Sequence, residues 1–238
     1  MDGTDLLVCI GGDGTVLRGA RTVIPRPIPI FGVNMGRLGF LSEVSPAHAL
    51  PRLMEVLLGA GRIEQRTMVR AKVVLPDGRP AAGLEHQHAL NDVVVGRYGG
   101  RPVYVHVLID GVQVEVVRAD GVLVSTATGS TGYNLSAGGP VLAPEAEEMV
   151  LTPVAAHLAH VRPLVLPRDS LIELRVETDL RAVVSFDGQI DFPLPGGASV
   201  RVRRSEHTAR FIRLGPPTDF FRNLTHLLDN ARPAIRDD

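Results

Sequence analysis

The 238-residue chain has a single lysine, Lys72. A Walker P-loop, G-x-x-x-x-G-K-[ST], cannot exist without one, and Lys72 does not sit in that pattern, so any phosphate chemistry must use another device. The only cysteine is Cys9, which excludes disulfides and a thiol metal site. In the apolar run 6–10 it reads as a small buried hydrophobe on a strand. No stretch approaches the roughly 20 apolar residues that span a bilayer, and the N-terminus lacks the basic-then-apolar order of a signal peptide. The expectation is a soluble, cytoplasmic protein with no membrane partner. Basic and acidic residues balance at 25 and 26 without a basic run or basic–aromatic stripe, which argues against a nucleic-acid partner. The eight histidines show no H-x-x-E-H or H-E-x-x-H spacing. His157 and His160 are three apart in a proline-flanked segment and read as non-ligands. No G-x-S-x-G nucleophile elbow occurs.

Hydrophobic residues make up 45% of the chain, enough for one large or two modest cores. Residues 1–66 alternate short apolar runs with glycine-rich turns. A strand over 6–10, a helix over 15–23, a strand over 28–33 and a helix over 46–58 capped by Ser45 give the pattern of a parallel α/β sheet. From about 67 to 210 the pattern changes to strands: 70–75, 93–96, 103–109, 112–117, 122–125, 164–165, 170–176, 182–186 and 199–203. A helix is expected at 144–150. The tail, 219–231, reads as a helix assigned with residues 211–238 to the first domain.

Asp-Gly occurs six times, and most such pairs are turns. Asp77 and Asp110 lie between strands and read as structural. Asp13 differs, because a buried strand and two glycines precede it and a helix follows. The glycines let a ligand approach the backbone, outward N–H groups at a helix start suit phosphate, and a carboxylate there makes sense as a base for a hydroxyl. By itself the motif fits a plain strand-to-helix turn equally well. The run 125–140 (STATGSTGYNLSAGGP) is too polar and irregular for a core element. Its hydroxyls and free N–H groups are what a nucleotide requires, a structural loop being the alternative. Asn91-Asp92 could bond an adenine edge and a ribose hydroxyl, or form an ordinary turn.

In this order the motifs resemble the NAD kinase family. Gly11-Gly12-Asp13-Gly14-Thr15 with Arg18 and Arg21 resembles its first signature, and residues 33–41 (VNMGRLGFL) its second. Asn91-Asp92 stands where the family has Asn followed by an acid. Residues 126–140 resemble T-P-T-G-S-T-A-Y-x-x-S-A-G-G-P, with Ala127 for the usual Pro and Gly132 for the usual Ala. Thr152-Pro153, 162–165 and Phe186-Asp187-Gly188-Gln189 match later segments. The resemblance implies an N-terminal Rossmann-like α/β domain, a β-rich sandwich-like domain, and a C-terminal helix returning to the first. It implies NAD bound between them, in a homodimer or homotetramer. A phosphoryl group would pass from ATP or polyphosphate, with Mg²⁺, to the 2′-hydroxyl of the adenosine ribose. Asp13 would be catalytic. Asn91 and Ser136 would hold the adenine, Asp92 a ribose and Asp120 the nicotinamide end. Thr131, Gly132 and Tyr133 would line the site with Phe40 beside it, and Gly14, Arg18, Thr128, Ala155 and Gln189 would complete the contacts.

The family normally carries a further β-α unit upstream of the G-G-D-G strand, whereas Met1 stands a few residues before it. Either the chain is shortened or its start is misplaced, and a missing β-α unit would expose a sheet edge or leave its neighbour unpaired. A non-catalytic NAD(P)-binding protein is the competing reading, and a lipid kinase sharing the G-G-D-G turn a third.

Overall fold

The computed structural model describes residues 3–36, 39–156, 162–177 and 182–230. His157 and His160 lie outside them. The chain divides into two compact units, 1–65 with 210–238, and 66–209.

The first unit is built on β1 (Leu7–Gly11), α1 (Asp13–Thr22) and β2 (Pro29–Asn34). The strands are parallel, with Leu7 opposite Ile30 and Gly11 opposite Asn34. Val16, Leu17 and Ala20 form the buried stripe of α1 at helical spacing. A 3₁₀ turn, Pro46–His48, leads into α2 (Ala49–Leu57). The expected Ser45 cap does not form: its hydroxyl meets the His48 ring at 3.0 Å and caps no backbone N–H. Phe31, Val33, Val44 and Val56 make the core, with Leu53 and Ile212 against them.

In the second unit, β3 (Arg62–Val74) begins in the first unit, pairs with β4 (Gln87–Ala89), and is followed by β5 (Asp92–Arg97), β6 (Val103–Ile109), β7 (Val112–Ala119) and β8 (Gly121–Ser125). After α3 (Tyr133–Ser136) come β9 (Met149–Val154), β10 (Leu164–Leu166), β11 (Ile172–Glu177), β12 (Ala182–Phe186), β13 (Ile190–Leu194) and β14 (Ser199–Arg213). One antiparallel sheet has the order β10-β9-β8-β5-β12-β13. A second layer runs β14-β11-β6-β7. Val93, Val124, Leu151 and Val184 from the first share one core with Val105, Val107, Leu174 and Val200 from the second, which is sandwich packing. The last element is α4 (Asp219–Asn230) in the first unit, where Phe220 meets the Phe40 ring at 5.8 Å.

The helix expected at 144–150 is absent. Residues 144–148 are turn and coil, and Met149 starts β9. Its run of acids and Ala has helical propensity, but Met149, Val150 and Leu151 are wholly buried in a central strand, and burial overrides propensity. Pro153 is tolerated in β9. The neighbouring Val154 turns its carbonyl to β8, accepting from Asp120 N, so the Pro153 nitrogen faces the other side, where β10 pairs only as far as Leu151. Among the described residues no helix is long and apolar enough to cross a membrane.

Candidate active site

In the first unit Gly11 ends β1 with φ +155°, and a Cβ there would lie 3.0 Å from Thr15 Cβ. Glycine thus permits the tight step into α1. Asp13 is the first residue of that helix, where an anion is favoured by the helix dipole. The segment after β2 folds back over it. Met35 N donates to Gly11 O at 3.2 Å, and Phe40 N donates to Asp13 Oδ2 at 3.3 Å. Asp13 Oδ1 is buried with no hydrogen bond inside normal geometry, although the Leu41 N–H and the Ser42 hydroxyl lie near the carboxylate. A Cβ on Gly39 would lie 2.5 Å from Asp13 Cγ, so only glycine fits against the carboxylate. Burial pushes the Asp13 carboxyl up. The N–H groups of Phe40 and Leu41 and the positive charge of Arg213 oppose that rise without cancelling it.

Arg213 carries the segment that holds Asp13, and the sequence reading did not single it out. It is buried at the end of β14. Its guanidinium donates to the carbonyls of Phe40 (3.1 Å) and Leu41 (3.2 Å), and pairs with Glu64 at 3.0 Å and Glu43 at 3.3 Å. Arg62 binds the other oxygen of Glu64 at 3.0 Å, and Leu214 N donates to Glu43 at 2.6 Å. Two guanidinium groups thus face two carboxylates, which leaves no buried net charge among these four. Gly14 and Arg18 follow Asp13 on α1, both exposed.

In the second unit a cavity of about 330 Å³ is lined by Asn91, Asp92, Val94, Tyr133, Ser185, Asp187 and Gly188. It brings together three residues named from the sequence, Asn91, Asp92 and Tyr133. Asp187 joins them and was not chosen there, because its Asp-Gly looks like the hairpin pair Asp110-Gly111. Both aspartates adopt left-handed φ, +53° and +50°. The Asp110 carboxylate accepts only Leu171 N, among the bonds resolved. The Asp187 carboxylate accepts from Leu90 N (3.2 Å), Asn91 N (2.7 Å) and Asp92 N (3.2 Å). Three N–H donors favour its ionised form. Asp92, only 5% exposed, is pushed up to about 7, chiefly by burial and then by the Asp187 charge.

The 125–140 run separates into scaffold and exposed face. Ser125, Thr126 and Ser130 are wholly buried, and their hydroxyls serve the loop itself. Thr126 Oγ1 donates to Leu90 O at 2.5 Å and accepts from Gly129 N. Ser130 Oγ donates to Ala127 O and accepts from Leu142 N. These three are structural, which corrects the reading of the whole cluster as nucleotide contacts. Asn134 adds bonds to Ser130 O, Pro140 O and Thr152. A Cβ on Gly129 would lie 2.6 Å from the Asn91 carbonyl carbon, so Gly129 lets this loop lie against Asn91. Thr128 is buried and its hydroxyl accepts from Arg66 at 3.3 Å. Thr131 Oγ1 donates to Thr128 O. Gly132, Tyr133, Ser136, Gly138 and Pro140 are the exposed members. The Tyr133 hydroxyl is pushed up by burial, then by the charges of Asp120 and Asp92, so Asp120 lies within electrostatic reach of the cavity. Asp120 pairs with Arg97 at 2.7 Å. Ala155 is exposed with φ +47°, an uncommon conformation outside glycine. Gln189 follows the Asp187-Gly188 turn, part-buried.

Residues 1–60 match the family model described as ATP-NAD kinase N-terminal domain, and residues 90–214 that of the ATP-NAD kinase C-terminal domain. The NAD kinase of Dehalococcoides mccartyi is 40% identical over 238 residues, all of this chain and 83% of its own length. That of Heliobacterium modesticaldum is 43% identical over 233 residues, 96% of this chain and 80% of its own. Among solved structures, yeast NADH kinase complexed with NADH superposes with a TM-score of 0.86 at 28% identity, covering 98% of this chain and 69% of the other. An NAD kinase from Archaeoglobus fulgidus in complex with ATP gives 0.79 at 32% identity, covering 96% and 84%. Domain models over both units, full-length relatives near 40% identity and the same fold place this chain in the NAD kinase family.

Proposed function

We propose that Asp13 is the general base of the NAD kinase reaction, taking the proton from the adenosine 2′-hydroxyl as its oxygen bonds to the terminal phosphorus of the donor. The P–O bond to the rest of the donor breaks, and with ATP the leaving group is ADP. The observation that carries this reading is the carboxylate pinned by Phe40 N, with one oxygen buried and without a hydrogen bond inside normal geometry and its pKa raised by burial. Positioning and electrostatics supply most of phosphoryl-transfer catalysis, and the Arg213-held segment supplies the positioning here.

The substrate reading rests on the second cavity. Asn91 offers an amide to the adenine edge with Ser136, Asp92 a carboxyl to a ribose, and Tyr133 an exposed ring over them. Asp120 serves the nicotinamide end, and Thr131, Gly132, Thr128, Ala155 and Gln189 the loops around it, with Gly14, Arg18 and Phe40 on the Asp13 side. The donor is ATP, which the Archaeoglobus relative binds, or polyphosphate. Mg²⁺ takes oxygen ligands and keeps much of its shell from phosphates and water. Bound with the donor it would offset phosphate charge. Exposed Tyr104 on β6 and Val116 on β7, which share one face of that sheet, are apolar surface suited to a homodimer or homotetramer. The site of action is the cytoplasm.

The test is NADP formation from NAD, ATP and Mg²⁺, read with an NADP-specific dehydrogenase, which reports 2′ phosphorylation alone. Phosphate transfer without an NADP signal would overturn the reading.

A further inference from the structure

One cluster of metal-type ligands shares no residue with the Asp13 and Asp92 sites. His88 on β4 and Glu206 and His207 on β14 each place one ligand atom within 4.8 Å of the other two. Residues 118 positions apart meet because β3 pairs with both β4 and β14, which is why histidine spacing along the chain gave no sign of them. The rings of His88 and His207 stand 5.2 Å apart at 52°. Ser205, buried, orients both ligating strands. Its hydroxyl lies 2.9 Å from His88 Nδ1 and 2.9 Å from His207 N, from which it accepts. Holding Nδ1 fixes the ring and leaves Nε2 as the metal-binding nitrogen, the usual outer-shell device. Glu206 binds Arg70 through Oε1 at 2.7 Å, with His207 Nε2 3.9 Å from the same oxygen, and its carboxylate also meets its own backbone N–H.

We propose that His88, His207 and Glu206 form a binding site for a Zn²⁺-class divalent cation, with a fourth position open to water. Two imidazoles and a carboxylate are a three-ligand zinc set. They disfavour Mg²⁺, which prefers all-oxygen shells, so the site is distinct from the cation travelling with the phosphoryl donor. Zn–N and Zn–O bonds of about 2.1 Å bring ligand atoms to roughly 3.4 Å of one another. The 4.8 Å spread therefore closes by side-chain rotation, open to these part-exposed residues. Arg70 opposes the cation by charge and competes for Glu206, and His86 lies near enough to add charge when protonated. The proposal does not rest on the kinase reading.

The experiment is calorimetric titration of the chelator-stripped full chain with ZnCl₂, without nucleotide, alongside the visible d–d spectrum of the Co²⁺-loaded protein. The expected result is one Zn²⁺ per chain and four-coordinate Co²⁺ bands. His88→Asn and His207→Asn each weaken binding at least about tenfold, and Ser205→Ala roughly tenfold, as loss of an outer-shell partner does. Arg70→Gln tightens binding, an outcome that no misfolding produces. No binding by the wild type, or equal binding by the His88→Asn/His207→Asn double variant, which would mean a surface-histidine site only, overturns the proposal, as does a Zn²⁺ affinity that Arg70→Gln leaves unchanged or lowers.

Discussion

Asp92→Asn should stabilise the protein at neutral and alkaline pH, by an amount that grows with pH. Asp92 is 5% exposed and faces the Asp187 carboxylate. Its pKa rises from the ordinary 3.8 to about 7. The folded state therefore binds a proton that the unfolded chain has lost, and stability falls as pH rises between those values. The penalty is absent below about pH 4 and reaches about 4 kcal/mol above pH 7, at about 1.4 kcal/mol per tenfold change in proton affinity. Asparagine has the same shape and never ionises. No side-chain hydrogen bond of Asp92 is resolved, and its backbone carbonyl still accepts Asp187 N. Urea unfolding of both proteins at pH 5 and pH 8 isolates the effect, because other titrating groups cancel in the difference. The stability of Asp92→Asn minus wild type should grow by about 3 kcal/mol over that range. A difference constant within about 0.5 kcal/mol, below the change any such shift would produce, would refute a neutral Asp92 beside an ionised Asp187.

Three other substitutions probe the same construction. Asp187→Asn keeps a residue that tolerates positive φ but loses charge-assisted acceptance of three N–H groups. It should cost about 3 kcal/mol in chemical denaturation, and it should reduce the pH dependence just described without abolishing it, because burial is the larger cause. Arg213→Met leaves Glu64 and Glu43 without their shared cation and should cost about 3 kcal/mol or more; a loss under about 1 kcal/mol would show the network to be incidental. Gly39→Ala pushes a methyl at Asp13, and displacement by about 1 Å should lower turnover roughly 10²-fold while the melting temperature changes little. Unchanged turnover would mean that the segment gives way freely.

The β-α-β start of the first unit was legible because Val16, Leu17 and Ala20 recur at helical spacing and the prolines after Val23 stop the helix. Strands 103–109 and 182–186 were found to the residue because alternating burial and turn pairs bound them. β9 was missed for the opposite reason. A strand buried on both faces has no alternation, and its acidic approach imitates a helix. The ends of β3 and β14 were missed because Glu64, Arg66 and Arg213 look like solvent residues in sequence, yet are buried and bonded. In the site, Asp13, Asn91 and Asp92 carried local signals, glycines or a strand end. Asp187 carried only an Asp-Gly signal that it shares with the hairpin pair Asp110-Gly111, so its role was not legible locally: it comes from β12 pairing with β5, which sets Phe186 opposite Val93, a relation almost a hundred residues long. The hydroxyls of 125–140 showed that the loop was special but not which of them point inward.

Asp13→Asn tests the central claim most directly. It preserves the shape of the side chain and removes its basicity. Steady-state NADP formation should fall by roughly 10²–10⁴, the usual worth of a general base, while calorimetric NAD affinity stays near wild type. Turnover within a few-fold of wild type in the substituted protein would contradict the assignment of Asp13 as the base.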